Sequence, residues 1–163
     1  MGLVAEIQSY DVVVFVHVTA VVVAFGATFA YPFFQAVVER ISPGSVPAMY
    51  RAMHTTSRFL VIPGALVVLA SGLYLTIDRW DFGQLFVLVG LSIVVVVIIL
   101  GATFFDRHEA RAIELSERDV ATAGASEVEL SEEYWAVSKR IARVGSLASL
   151  LILVTVFFMV VKP

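Results

Sequence analysis

Four apolar runs, Tyr10 to Val38, Phe59 to Ile77, Phe82 to Phe105 and Ile141 to Val161, limit the folds open to this chain. Each is long enough to cross a hydrocarbon layer of about 30 Å, which takes roughly 20 residues of helix. Lipid offers backbone groups no hydrogen-bond partner, so each run must satisfy its own as a helix. At 163 residues and 60% hydrophobic, a soluble domain could not hide this much apolar surface. The expected architecture is therefore all-α: one integral membrane domain over residues 1–163, a four-helix transmembrane bundle running up-down-up-down. Its helices are expected at about 10–38, 46–77, 82–115 and 131–161, with a linker at about 116–130.

Lys and Arg set the expected orientation. Arg40, Arg51, Arg58, Arg107, Arg111, Arg118, Lys139, Arg140 and Arg143 flank or fill the two longer connections; the other side has only Arg79 and Lys162. The positive-inside rule places the longer connections in the cytoplasm and both termini outside, in a bacterial inner membrane. No Lys or Arg precedes the first run, and that run is too long for a signal-peptide core, so it reads as a mature helix. The absence of cysteine excludes disulfides, thiolate metal sites and cysteine nucleophiles. No nucleotide-binding loop, nucleophile elbow or nucleic-acid surface is present, which leaves the bilayer as the expected partner.

Between the runs, Ser42-Pro43-Gly44 reads as a turn, and Asp78-Arg79-Trp80-Asp81 as a short connection that makes the second and third helices antiparallel neighbours. Pro63-Gly64 predicts a kink. Asp106 to Glu133 mixes charges of both signs and reads as a solvated helical extension followed by the linker. Gly26-Ala27-Thr28-Phe29 recurs as Gly101-Ala102-Thr103-Phe104, which fits a tandem repeat of a two-helix unit.

The few polar residues of the first run are not scattered. Tyr10, His17, Thr28, Tyr31 and Gln35 fall on one helix face, with small Ala24 among them. Such a seam must face protein, water or a bound group. A neutral imidazole at His17 suits haem iron or another metal, a proton relay, or a hydrogen bond to a neighbouring helix. A second axial ligand would come from Met159, at a comparable depth on the last helix, or from His17 of a second copy in a homo-oligomer. His54 lies toward the opposite surface and cannot share a haem with His17 in one chain. With Arg58 four residues on, it suits an anionic headgroup, a propionate or a phosphate, or plain snorkelling into the interface.

His17 with Tyr31-Pro32, Arg58 five residues before Pro63, and Gly72 nine after that proline are similar to the first two helices of the four-helix membrane protoporphyrinogen oxidases. Those motifs also resemble the CopD-like proteins and uncharacterised predicted integral membrane proteins of this length. The resemblance implies haem ligation by His17 and a functional role for Arg58. Phe33 stands where the oxidases carry an arginine, Val38 near a second histidine, and Gln84 where a lysine follows the tryptophan; the closer resemblance is to the uncharacterised group.

Two functions are carried forward. In the first, the bundle binds b-type haem or a porphyrin for haem handling or electron transfer, as an oxidoreductase if it is an enzyme. His17, Tyr31, Arg58, Met159 and His54 are its candidate cofactor-binding residues. In the second, the chain is a non-enzymatic membrane component, a small permease subunit or interaction protein, whose polar helix-one face packs against a partner.

Overall fold

A computed structural model describes residues 8–162; the first seven residues and the last, included in the single domain expected over 1–163, lie outside the described residues. Four long helices account for the chain: α1 (Ser9–Ile41), α2 (Pro43–Arg79), α3 (Leu85–Ala123) and α4 (Glu132–Val161). All four are long and apolar enough to cross a membrane. Consecutive helices pack side by side, and α4 closes the ring against α1. Phe15, Phe33, Ile77 and Val160 are each about three-quarters exposed and form part of an apolar outer surface suited to lipid.

The connections follow local chemistry. Ser42 alone links α1 to α2, whose first turn, Pro43–Ser45, is a tight 3₁₀ turn opened by proline. Between α2 and α3, the Asp81 carboxylate accepts the Gly83 amide at 2.7 Å and fixes the turn. The third helix runs further than expected, through Ala123, so the linker expected at 116–130 shrinks to the residues after it. Leu115, Ser116 and Asp119 are buried in that extension, which packs against the start of α2. It stops at Gly124, whose φ of +58° glycine adopts without strain. Ser131 then caps α4 by accepting the Tyr134 amide.

Two of the helices carry π turns, at Ser57–Val61 in α2 and Leu100–Phe105 in α3. The first lies one turn before Pro63, which cannot donate to a carbonyl of the preceding turn; the inserted residue accommodates that loss. It also rotates everything before it by about 100°. In an unbroken helix His54, Arg58, Val61, Ala65, Val68, Gly72 and Thr76 would share one narrow face; that face holds only after the bulge, where Ala65, Val68 and Thr76 are buried. Before it, Met53 turns inward in place of His54, and Arg58 faces out.

Two cores result. Ala24, Phe25, Ala65, Val68, Val94 and Ile152 pack within the membrane-length part. Val46, Tyr50, Met53, Ala112, Leu115, Tyr134 and Ile141 pack at the charged end, where the helices outrun the apolar segments. The charged stretch from Asp106 is thus half of a second small core rather than a solvated connection.

That second core is closed by a buried polar knot. One Glu39 carboxylate oxygen accepts the Tyr134 hydroxyl at 2.5 Å, the Ser138 hydroxyl at 2.6 Å and the Gln35 amide at 3.2 Å. Burial, with Tyr50 and Glu39 beside it, pushes the Tyr134 hydroxyl up and keeps it a donor. The Tyr50 ring meets the Tyr134 ring edge-on. The Gln35 amide keeps the Ser138 carbonyl and hydroxyl as acceptors, but Glu39→Ala leaves the Tyr134 and Ser138 hydroxyls short of one, and we expect it to cost about 2–4 kcal/mol. Thermal unfolding in detergent checks this: a change below about 1 °C would show that the knot contributes nothing.

Candidate functional site

Two chambers lie within the bundle among the described residues. The larger cavity, about 480 Å³, lies between all four helices toward the end that holds Tyr10, Trp80 and Lys162, and falls within the size range of small-molecule sites. Its walls are mostly Val, Leu, Ile and Phe, and its polar side chains include His17, Thr76 and Thr155. Gly72 and Gly90 keep two walls thin: a Cβ at Gly72 would sit 3.3 Å from the His17 ring, and one at Gly90 would strike the Met159 methyl.

At the mouth of this chamber are two cations held over aromatic rings. The Lys162 ammonium lies 4.1 Å from the Trp80 ring centre, and the Arg79 guanidinium 3.9 Å from that of Tyr10. Arg79 also donates to the Gln8 side chain at 2.7 Å.

His17 is positioned by α2. Ser71 donates its hydroxyl proton to the Val67 carbonyl at 2.6 Å, one turn back on its own helix. With that proton committed, the 2.9 Å contact between Ser71 Oγ and His17 Nδ1 has the ring as donor. The network thus assigns the proton to Nδ1 and leaves the lone pair on Nε2. A histidine that gives one N–H to a fixed acceptor and keeps the other nitrogen bare is poised as a ligand or base.

The smaller chamber, about 80 Å³, lies toward the charged end. Thr28, Tyr31 and Gln35 of α1, Ser57 of α2, Glu109 of α3 and Ser149 of α4 supply its polar side chains, and both π turns contribute to its walls. Phe25, Val97 and Ile152 line both chambers and form the partition between them. Glu109 is only 2% exposed. It stands beyond Phe105, where the membrane-crossing part of α3 ends. Burial, reinforced by the nearby Asp106 carboxylate, pushes the Glu109 carboxyl up to about 7.

The polar face of α1 is therefore turned inward and shared between the two chambers; this chain's own helices cover it. Of the five candidate residues, His17 and Met159 line the larger chamber. Tyr31 lines the smaller one. His54 lies between Asp106 and Glu109, with Nε2 3.7 Å from the first and Nδ1 3.4 Å from the second. Arg58 is exposed on the π turn. Among the described residues, no group of three or more His, Cys, Asp or Glu side chains is placed to hold a metal ion.

Ser71, Glu39 and Glu109 were not singled out by sequence reasoning. Glu39 had a signal: it is one turn past Gln35, on the same face of α1.

Residues 11–163 match the model of a family described as "Predicted integral membrane protein (DUF2269)". No curated protein and no solved structure matches the chain.

Proposed function

The chain belongs to this family of predicted integral membrane proteins, and from that premise we propose that it binds a b-type haem or related porphyrin in the larger chamber, for haem handling or electron transfer. One observation carries the reading: His17, its Nδ1 held by the Ser71 hydroxyl at 2.9 Å, lines a ligand-sized apolar chamber.

The residues present suit such a group. His17 would ligate the iron, and Met159, from α4, is the thioether available in the same chamber. Apolar walls suit a macrocycle, and Lys162 and Arg79 at the mouth suit its acidic side groups. A bound haem supplies reversible one-electron chemistry. The protein's part is to present His17, exclude water with the valine-rich walls and hold the carboxylates at the rim. Tyr31, His54 and Arg58 have no part in this chamber. By the positive-inside rule its mouth opens on the outer face of a bacterial inner membrane.

The test is the absorption spectrum of the membrane-purified protein, oxidised and dithionite-reduced, with haem offered. We expect a Soret band and a reduced α-band that His17→Ala abolishes, and an affinity lowered about 10–100-fold by Ser71→Ala. A protein that stays colourless and takes up no haem would end this reading.

A further inference from the structure

The smaller chamber is separate from the site just described, and it holds a group in an unusual position. Glu109 is almost wholly buried, lies on the chamber wall, and its Oε2 has no hydrogen-bond partner. Native proteins seldom leave such an oxygen unpaired without a use for it. The Tyr31 hydroxyl on the same wall is likewise unpaired. The 80 Å³ space is mostly apolar, but beside these two orphaned oxygens, the Gln35 amide and the Thr28, Ser57 and Ser149 hydroxyls it has room for water.

A chain of titratable groups leads from this carboxyl to the surface. Asp106 is half exposed, at 51% of its side-chain surface; its Oδ1 is 3.7 Å from His54 Nε2. His54 Nδ1 is in turn 3.4 Å from Glu109 Oε2, close enough to pair but off the line of a hydrogen bond. The imidazole therefore stands between an exposed carboxylate and a buried one with a nitrogen toward each, and a small ring rotation or an intervening water completes either contact into the hydrogen bond that a proton shuttle uses.

We propose that Glu109 is the proton-binding group of the smaller chamber, loaded from the aqueous face at the charged end through Asp106 and His54. A proton taken up at Asp106 passes to His54 Nε2, and His54 releases the proton on Nδ1 to Glu109 Oε2. The ring ends neutral with its proton on Nε2, Glu109 ends as the acid, and charge balances at each transfer.

The groups around Glu109 are accounted for on every side. Helix α1 contributes Tyr31, α2 contributes Tyr50, His54 and Ser57, and α3 contributes Asp106. The wall from α4 is Ile141, Ala142, Gly145, Ala148, Ser149 and Ile152, with no titratable side chain. Among the described residues no Lys or Arg side chain pairs with the carboxyl, which favours holding a proton there rather than an ion pair.

Infrared titration of the full chain in lipid nanodiscs tests this. We expect a protonated-carboxyl band that disappears around neutral pH in the wild type, is absent in Glu109→Gln, and persists at a displaced midpoint in Glu109→Asp. After a pulse of D2O buffer, the deuterium shift of that band should slow at least about tenfold in His54→Gln. Circular dichroism confirms that each variant is folded. A band that survives Glu109→Gln would assign the proton elsewhere, Glu39 and Asp119 being the other buried acids among the described residues, and would overturn the proposal. So would ordinary carboxylate titration in the wild type, or unchanged exchange in His54→Gln.

Discussion

Gly64→Val is expected to lower the unfolding midpoint of the detergent-solubilised protein by about 5–10 °C. A Cβ at Gly64 would lie 2.5 Å from the Ala24 Cβ and 3.4 Å from its Cα. The obstacle is backbone and a methyl group with no rotamer to adopt, so α1 and α2 must move apart. Small residues at such crossings let membrane helices approach closely, and overpacking them costs about 1–3 kcal/mol, occasionally more. At this chain length each kcal/mol corresponds to roughly 2–4 °C. The displacement would also disturb His17, whose partner Ser71 lies two turns further along α2. Gly26→Ala is the matched control: nothing lies within 4 Å of its Cβ, and the change should be neutral or slightly stabilising. Equal loss in both variants would mean that helix propensity, not the crossing, sets the cost.

Glu109→Gln should stabilise the protein at alkaline pH and do nothing in acid. In the unfolded chain this carboxyl ionises near 4.5, and in the fold near 7. Between those values the folded state binds more protons, so its stability falls as pH rises from about 4.5 through 7 and levels off above that. Full ionisation in the fold costs up to about 3 kcal/mol, which a neutral glutamine avoids. Midpoints should be about 5–10 °C higher for the variant at pH 8.5 and equal at pH 5. A gain of the same size at both pH values would trace it to packing and remove the linkage account.

How much of this was legible in the sequence differs along the chain. The four spans were, because lipid imposes a length and an apolarity that few other folds share. The inward face of α1 was too, since His17, Thr28, Tyr31 and Gln35 recur at helical spacing. The lower half of α2 was not. Its phase depends on one residue inserted at Ser57–Val61, and only Pro63 hinted at it. An unbroken helix would put Arg58 on the face of Ala65 and Val68, and Ser57 went unnoticed. Glu109 was hidden by its neighbours: a carboxylate among Asp106, Arg107 and Arg111 reads as a wetted helix until its contact with α2 is known. The chambers themselves are built from single residues on all four helices, and no spacing within one segment announces such a convergence.

The paired π turns also bear on how a protein of this kind can change. Each adds a residue without adding a turn, and both lie where the apolar segments give way to the charged end, with Ile62 against Gly101. Insertions and deletions inside a membrane helix are ordinarily ruinous, because they rotate one lipid-facing half against the other. Here the stretch that absorbs a change in chain length is already present. A lineage can therefore alter what the charged end presents by gaining or losing one residue there, while the lipid-facing surface and the larger chamber keep their register.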